Sequence, residues 1–223
     1  MSAQDEHAWG VRAEPESRLP ASLATIVAVA LYVALPDRLT VGPVWLVPAL
    51  EIVLLVALLI FSPQRLRGEP PWRRAMAIAL IAIINAANIA SLVLLVRALV
   101  VSSSKATGLQ LIGNAAEIWL TNIIVFALWY WELDRGGPAR RSHAKHPEPD
   151  FLFPQMVTAA SAKPDWAPRF IDYLFVSFTN ATAFSPTDTM PLTPAAKVLF
   201  MAQALTSLLT VALVAARAVN ILS

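Results

Sequence analysis

"SFTNATAFSPTDTMPLT", residues 177–193, runs directly into a long apolar stretch, "PAAKVLFMAQALTSLLTVALVAARAVNIL", residues 194–222. It is a run of hydroxyls with an Asn, an Asp and two prolines, and Pro194 follows at once. As a plain loop it is well made: Ser-Pro-Thr-Asp favours a turn, and Pro194 suits the first turn of a helix. The preceding "PRFIDYLFV", residues 168–176, is aromatic and apolar. The alternative is a segment that dips into a membrane and returns. The choice decides whether the C-terminal half is two helices and a loop, or a pore-like module.

Composition puts the question in a membrane. Of 223 residues, 57% are apolar and 14% charged, and the mean hydropathy is +0.60. A soluble domain carries roughly a quarter charged residues. The net charge is +2 and the basic residues sit at the ends of apolar runs, a pattern of membrane topology and not of nucleic-acid binding. There is no cysteine, which removes disulfides and thiolate chemistry. Arg outnumbers Lys thirteen to four, pointing to a GC-rich bacterial genome and so to a bacterial inner membrane. The polar start, residues 1–18, lacks the features of a signal peptide, so the first apolar run is expected to be a retained anchor.

About 20 apolar residues are needed to cross the hydrocarbon core. Five segments answer to this: Pro20–Pro36, which is short, then Val41–Ser62, Ala75–Val100, Gly108–Trp131 and Pro194–Leu222. A sixth, 168–185, starts apolar and ends polar, and reads as a short or re-entrant segment. Backbone groups in hydrocarbon must be satisfied within the chain, and no run alternates like a barrel strand. The expectation is an all-α polytopic membrane helix bundle. Trp45, Trp72, Trp129, Tyr130, Trp131 and Trp166 fall near the predicted ends, where amphipathic rings favour the headgroup level. Residues 19–107 form a three-helix membrane region, and the Pro- and charge-rich loop 132–167 divides the first four runs from the C-terminal segments. With alternating sides, twelve basic residues fall with the N-terminus and this loop, and three (Arg38, Arg97, Lys105) opposite. The positive-inside rule then makes the N-terminus and loop cytoplasmic.

From Asp172, "DYLFVSFTNATAFSPTDTMPLTPAAK" resembles the pore segment of the potassium channel superfamily, in particular small bacterial members. Aligned without a gap, Thr182 falls on the Thr that often ends the pore helix, Asp188 on the Asp of the filter T-V-G-Y-G-D, and Pro191 on a later Pro. The resemblance makes 108–223 a channel-like module: outer helix 108–131, loop 132–167, pore-loop segment 168–193, inner helix 194–222. Where the family has T-V-G-Y-G, this chain has Ala183, Phe184, Ser185, Pro186 and Thr187. A potassium filter replaces the ion's hydration shell with backbone carbonyls, and its glycines adopt angles that a Cβ resists, while Pro186 fixes φ and removes an N–H. The usual filter cannot form here in its usual shape. The resemblance implies a homo-tetramer passing an inorganic cation, with Ser185, Thr187 and Asp188 offering oxygens, and a loop on the outside, against the charge rule.

Ionisable groups inside a membrane are functional candidates by default. Glu51 lies mid-way along the second run; Asn114, Glu117 and Thr121 share a helical face in the fourth, and Asn85, Asn88 and Ser91 one in the third. They suit a proton or cation path, or interhelical hydrogen bonding, with Arg97 a partner for a Glu or a snorkelling cation. His143 and His146 belong to a solvated loop, so no metal site is expected, and "DRGGP", Asp134–Pro138, is a turn and not a phosphate loop. No catalytic motif is present, so neither an enzyme nor a cofactor is expected. Three functions remain: a channel-like protein in the lipid bilayer, a proton- or cation-coupled small transporter using Glu51 and Glu117, and a non-conducting scaffold.

Overall fold

The computed structural model describes residues 16–40, 42–43, 45–60, 71–100, 108–141, 148–158, 166–183 and 189–222. The long helices are α1 (Leu19–Ala34), α2 (Leu46–Ile60), α3 (Pro71–Val100) and α4 (Gly108–Leu133). After them come two single turns, α5 (Pro138–Arg141) and α6 (Pro154–Val157), then α7 (Phe170–Ala183) and α8 (Pro194–Leu222). Two short strands, β1 (Phe151–Leu152) and β2 (Met190–Pro191), pair antiparallel. The chain is all-α, as the sequence predicts.

Proline sets several of the boundaries. Pro20 occupies the first turn of α1, and Leu35, held extended before Pro36 (ψ 141), ends it. Pro194 starts α8, and Thr193 caps it: its hydroxyl accepts the N–H of Ala196 at 3.3 Å. The N-terminus of α7 is held by two carboxylates. Asp172 accepts the N–H of Arg169 at 2.7 Å, and Glu16 that of Phe170 at 2.6 Å, which satisfies donors that a helix end leaves orphaned.

Among the described residues, three helical stretches are long and apolar enough to cross a membrane: Pro71–Leu99, Leu109–Gly136 and Pro194–Ala216. α1 has 16 residues and α2, described as far as Ile60, has 15, so among the described residues three of the five spans expected from hydropathy have the length and apolarity of a crossing. Pro36 trims the first run, and Gly42, at φ 71, leads into the second with Pro43 following it.

α4 is the central helix, packed on α1, α3, α7 and α8, with α2 against α1 and α3. The N-terminal ends of α1 and α3, the C-terminal end of α4 and the N-terminal ends of α7 and α8 meet at one end of the bundle. Arg18 pairs with Glu132 at 3.2 Å, Arg74 donates to the Glu132 carbonyl at 3.2 Å, and Thr193 donates to Asp150 at 2.6 Å. Because Arg73, Arg135 and Arg141 lie there too, this is the basic end; exposed Arg97 is near the other end of α3.

The apolar core is split in two. A cluster toward the basic end contains Leu80, Ile84, Phe126, Tyr130, Phe151, Tyr173 and Phe200. A second, toward the far end, contains Tyr32, Ala87, Leu95, Leu111 and Ile118. The loop 132–167 is not wholly polar: Phe151, Phe153 and Met156 are buried in the first cluster, and Phe151 stacks on Phe200 at 5.6 Å between ring centres. Trp131 and Tyr130 also lie inside the protein, not at its edge as an interfacial belt would have them. Trp45 and Trp72 are exposed and fit that expectation.

Candidate functional site

The chain lies at the basic end both where α7 begins and where it is next described, at Thr189–Met190. The first turns of α7 are fixed there by Glu16 and by Tyr173, whose hydroxyl donates to Asp134 at 2.5 Å. Further along, Ser177 donates to the Ile123 carbonyl at 2.6 Å, and Phe178 meets Trp119 edge-on at 6.2 Å. Trp119 lies fifteen residues before Asp134 on α4, roughly 22 Å along the axis. By Met190 the chain is back at the basic end, paired with Leu152, and Leu192 donates to the Asp150 carbonyl at 2.8 Å. α7 is thus a helical excursion wedged against α4 and α8.

A polar network joins these three helices. Gln203 of α8 is its hub: it accepts from the Tyr130 hydroxyl and from Asn180 at 2.9 Å, and donates to the Ser177 carbonyl at 2.9 Å and hydroxyl at 2.6 Å. Asn180 also donates to the Phe200 carbonyl at 3.2 Å, and Asn122 donates to Ser207 at 2.9 Å. Ser177, Asn180, Gln203 and Ser207 are all buried. Left unpaired in an apolar interior, such groups would each cost about 1–3 kcal/mol.

A charged latch closes the basic end. Asp134 is fully buried and accepts from Tyr173 and, at 2.9 Å, from the Asp150 N–H; Asp150 accepts the Arg135 N–H at 3.0 Å. Arg135 is held at φ 54, followed by Gly136 and Gly137 at φ 78 and 100. The turn read from "DRGGP" is built from left-handed backbone that glycine tolerates, and these bonds hold Arg135 in it. Glu16 accepts from Trp131 Nε1 at 2.7 Å and lies 3.6 Å from Arg141, whose guanidinium also sits over the Trp131 and Tyr173 rings.

The sequence-predicted polar residues fall in a different place. Glu51 is fully buried with neither carboxylate oxygen bonded. Asn88, Ser91 and Asn114 are buried, and Asn85 and Glu117 half-buried; each leaves one buried polar atom without a partner. Asn114, Glu117 and Thr121 share the expected face, Thr121 donating to the Glu117 carbonyl at 2.9 Å. Arg97 pairs with neither Glu among the described residues.

Of the filter-equivalent residues, Thr182 is exposed in the last turn of α7, donating to the Phe178 carbonyl at 2.9 Å, and Ala183 ends that helix. Phe184, Ser185, Pro186, Thr187 and Asp188 lie outside the described residues. Sequence reasoning missed Gln203 and its partners. Their signal was there: Gln203, Ser207 and Thr210 recur at helical spacing within an apolar run, as do Ser177 and Asn180. Fold and site together define an all-α protein with helices fit to cross a membrane and a polar interior layer. No protein-family model, no curated protein and no solved structure matches the chain.

Proposed function

We propose that this is a channel-like integral membrane protein that passes an inorganic cation through an assembly of four copies. The observation that carries the reading is the course of α7. At 14 residues it is about 21 Å long, too short to cross a hydrocarbon core of about 30 Å, and the chain returns to its starting end by Met190. Outer helix α4, short inward helix α7, a return segment and inner helix α8 follow in the order that the potassium-channel resemblance implies. In this reading α1 and α2 also cross, the bilayer thinning locally to meet them.

The exposure of α8 supports assembly. Its apolar window is 22% buried in one protomer, against 61% for α4, and an inner helix gains its neighbours only when copies meet. The path is lined after Ala183, where Ser185, Thr187 and Asp188 supply oxygens and the prolines exclude a potassium-type carbonyl ladder. Selectivity is accordingly unlike that of a potassium filter.

Liposome flux of the purified protein is the test. Wild type is expected to pass monovalent cations, and Asp188→Asn to change the rate or the selectivity. A chain that passes nothing and is monomeric in detergent would end the channel reading.

A further inference from the structure

The seam between the two apolar clusters carries polar groups on every helix that reaches it from α2 onward, but its two halves differ. On the second half of α4, α7 and α8 these groups bond one another, with Asn122 Oδ1 the exception among them. On α2, α3 and the first half of α4 they leave atoms unpaired, and the centre of that half is Glu51.

The buried stripe of α2 is Val47, Pro48, Glu51 and Leu54. Val47 packs on the far cluster and Leu54 on the cluster toward the basic end, so Glu51 sits at the seam. On α3 the seam falls between Ile84 and Ala87, which belong to the two clusters and flank Asn85; Asn88 and Ser91 follow on the same face. Glu51 is 0% exposed, with both oxygens unpartnered. The orphaned atoms at this level of α3 are Asn85 Oδ1 and Asn88 Nδ2, and Ser91 Oγ and Asn114 Nδ2 continue them into the far cluster.

Among the described residues no cation neutralises the carboxylate. Of the helices packed on α2, α1 offers one titratable group, Tyr32, and α3 offers Arg73, Arg74 and Arg97. These arginines lie nine or more residues from the seam, about 14 Å along the helix. Glu117 of α4 is a further acid, half-buried. An ionised carboxylate so placed costs far more than the protein can supply, and such a group takes up a proton instead. Amide and hydroxyl groups of this kind suit water and a carboxylate. Water needs two to four polar partners to be held inside a protein, and the orphaned atoms provide them.

We propose that Glu51 is a reversible proton-binding site within each protomer, reached by water along the Asn88–Ser91–Asn114 side of the seam and separate from the α7 module. Release breaks the Oε–H bond; the proton passes to water, and the electron pair stays on the carboxylate, stabilised by amide N–H groups through that water. The site does not depend on conduction through residues 184–188.

Dicyclohexylcarbodiimide, which attacks protonated carboxyls in apolar surroundings, tests this on the full-length protein. Peptide mass mapping is expected to find the adduct on Glu51, falling as pH rises, unchanged when sodium replaces choline, and unchanged by Asp188→Asn. Infrared spectra are expected to lose a protonated-carboxyl band in Glu51→Gln and to keep it in Glu117→Gln. If Glu51→Gln does not fold, the pH and sodium series on wild type decides alone. No adduct on Glu51, an adduct independent of pH, or suppression by sodium at constant pH would each overturn the proposal. The last would mean a metal-ion site in its place.

Discussion

Gln203 shows how one residue organises a helix junction. It sits in an apolar helix, yet its amide serves three side chains and one carbonyl on two other helices. Gln203→Leu keeps the volume and takes one acceptor from Tyr130 and from Asn180 and the amide donor from Ser177. It is expected to destabilise the protein by about 1–3 kcal/mol, read as a lower midpoint of unfolding in detergent. Ser207→Ala, which removes a single bond to Asn122, is expected to cost about 0.6 kcal/mol, the average for such pairs between membrane helices. Equal effects would mean that Gln203 is no hub. The sequence displays residues of this kind unevenly. Glu51 stands out because a carboxylate in an apolar run is conspicuous; Gln203 does not, because an isolated amide carries no charge. Nor does a sequence say whether an inward polar atom finds a partner, and that is what separates the two.

At the scale of elements, hydropathy located the long helices well, and α8 coincides with its predicted run, Pro194–Leu222. It was less informative where chemistry and length part company. α4 continues two residues past Trp131, because Glu132 and Leu133 are drawn inside by Arg18, Arg74 and the core. The loop after it hid an aromatic plug, since Phe151 and Phe153 stand among prolines and charges and have no period to betray them. The course of α7 was legible only as a pair of alternatives, because a half-polar segment of this length suits a poor crossing and a return equally. The β1–β2 pair gives a direct check. Leu152→Cys with Met190→Cys, facing residues on adjacent strands, is expected to form a disulfide on mild oxidation, with no competing native thiols. Failure to cross-link under conditions where each cysteine reacts singly would place Met190 away from the basic end.

For the whole molecule, the decisive asymmetry is between the two ends. The structure gathers Arg18, Arg74, Arg135 and Arg141 at one end, Arg18 and Arg74 through bonds to Glu132, Arg135 beside Asp134 and Arg141 on the Trp131 carbonyl. In the membrane reading, the positive-inside rule makes that end cytoplasmic. In the membrane reading, a single cysteine at His143 is therefore expected to react with an impermeant maleimide only after the cytoplasmic face is opened. α7 would then enter from the cytoplasm, opposite to the superfamily it resembles. Labelling from outside would restore the superfamily's orientation and set the arginines against the rule. Among these arginines, Arg135 and Arg141 are buried, which ties the count to folding as well as to insertion.

Glu16 carries a consequence for how the chain is made. Its carboxylate completes the N-terminus of α7 at Phe170, 154 residues later. Trp131, which it also binds, emerges from the ribosome well before that. Until then the acid can meet Trp131 and Arg141 alone, and its third partner arrives with the last quarter of the chain. A chain cut short of Phe170 is therefore expected to leave Glu16 more accessible to carboxyl-modifying reagents than it is in the full chain.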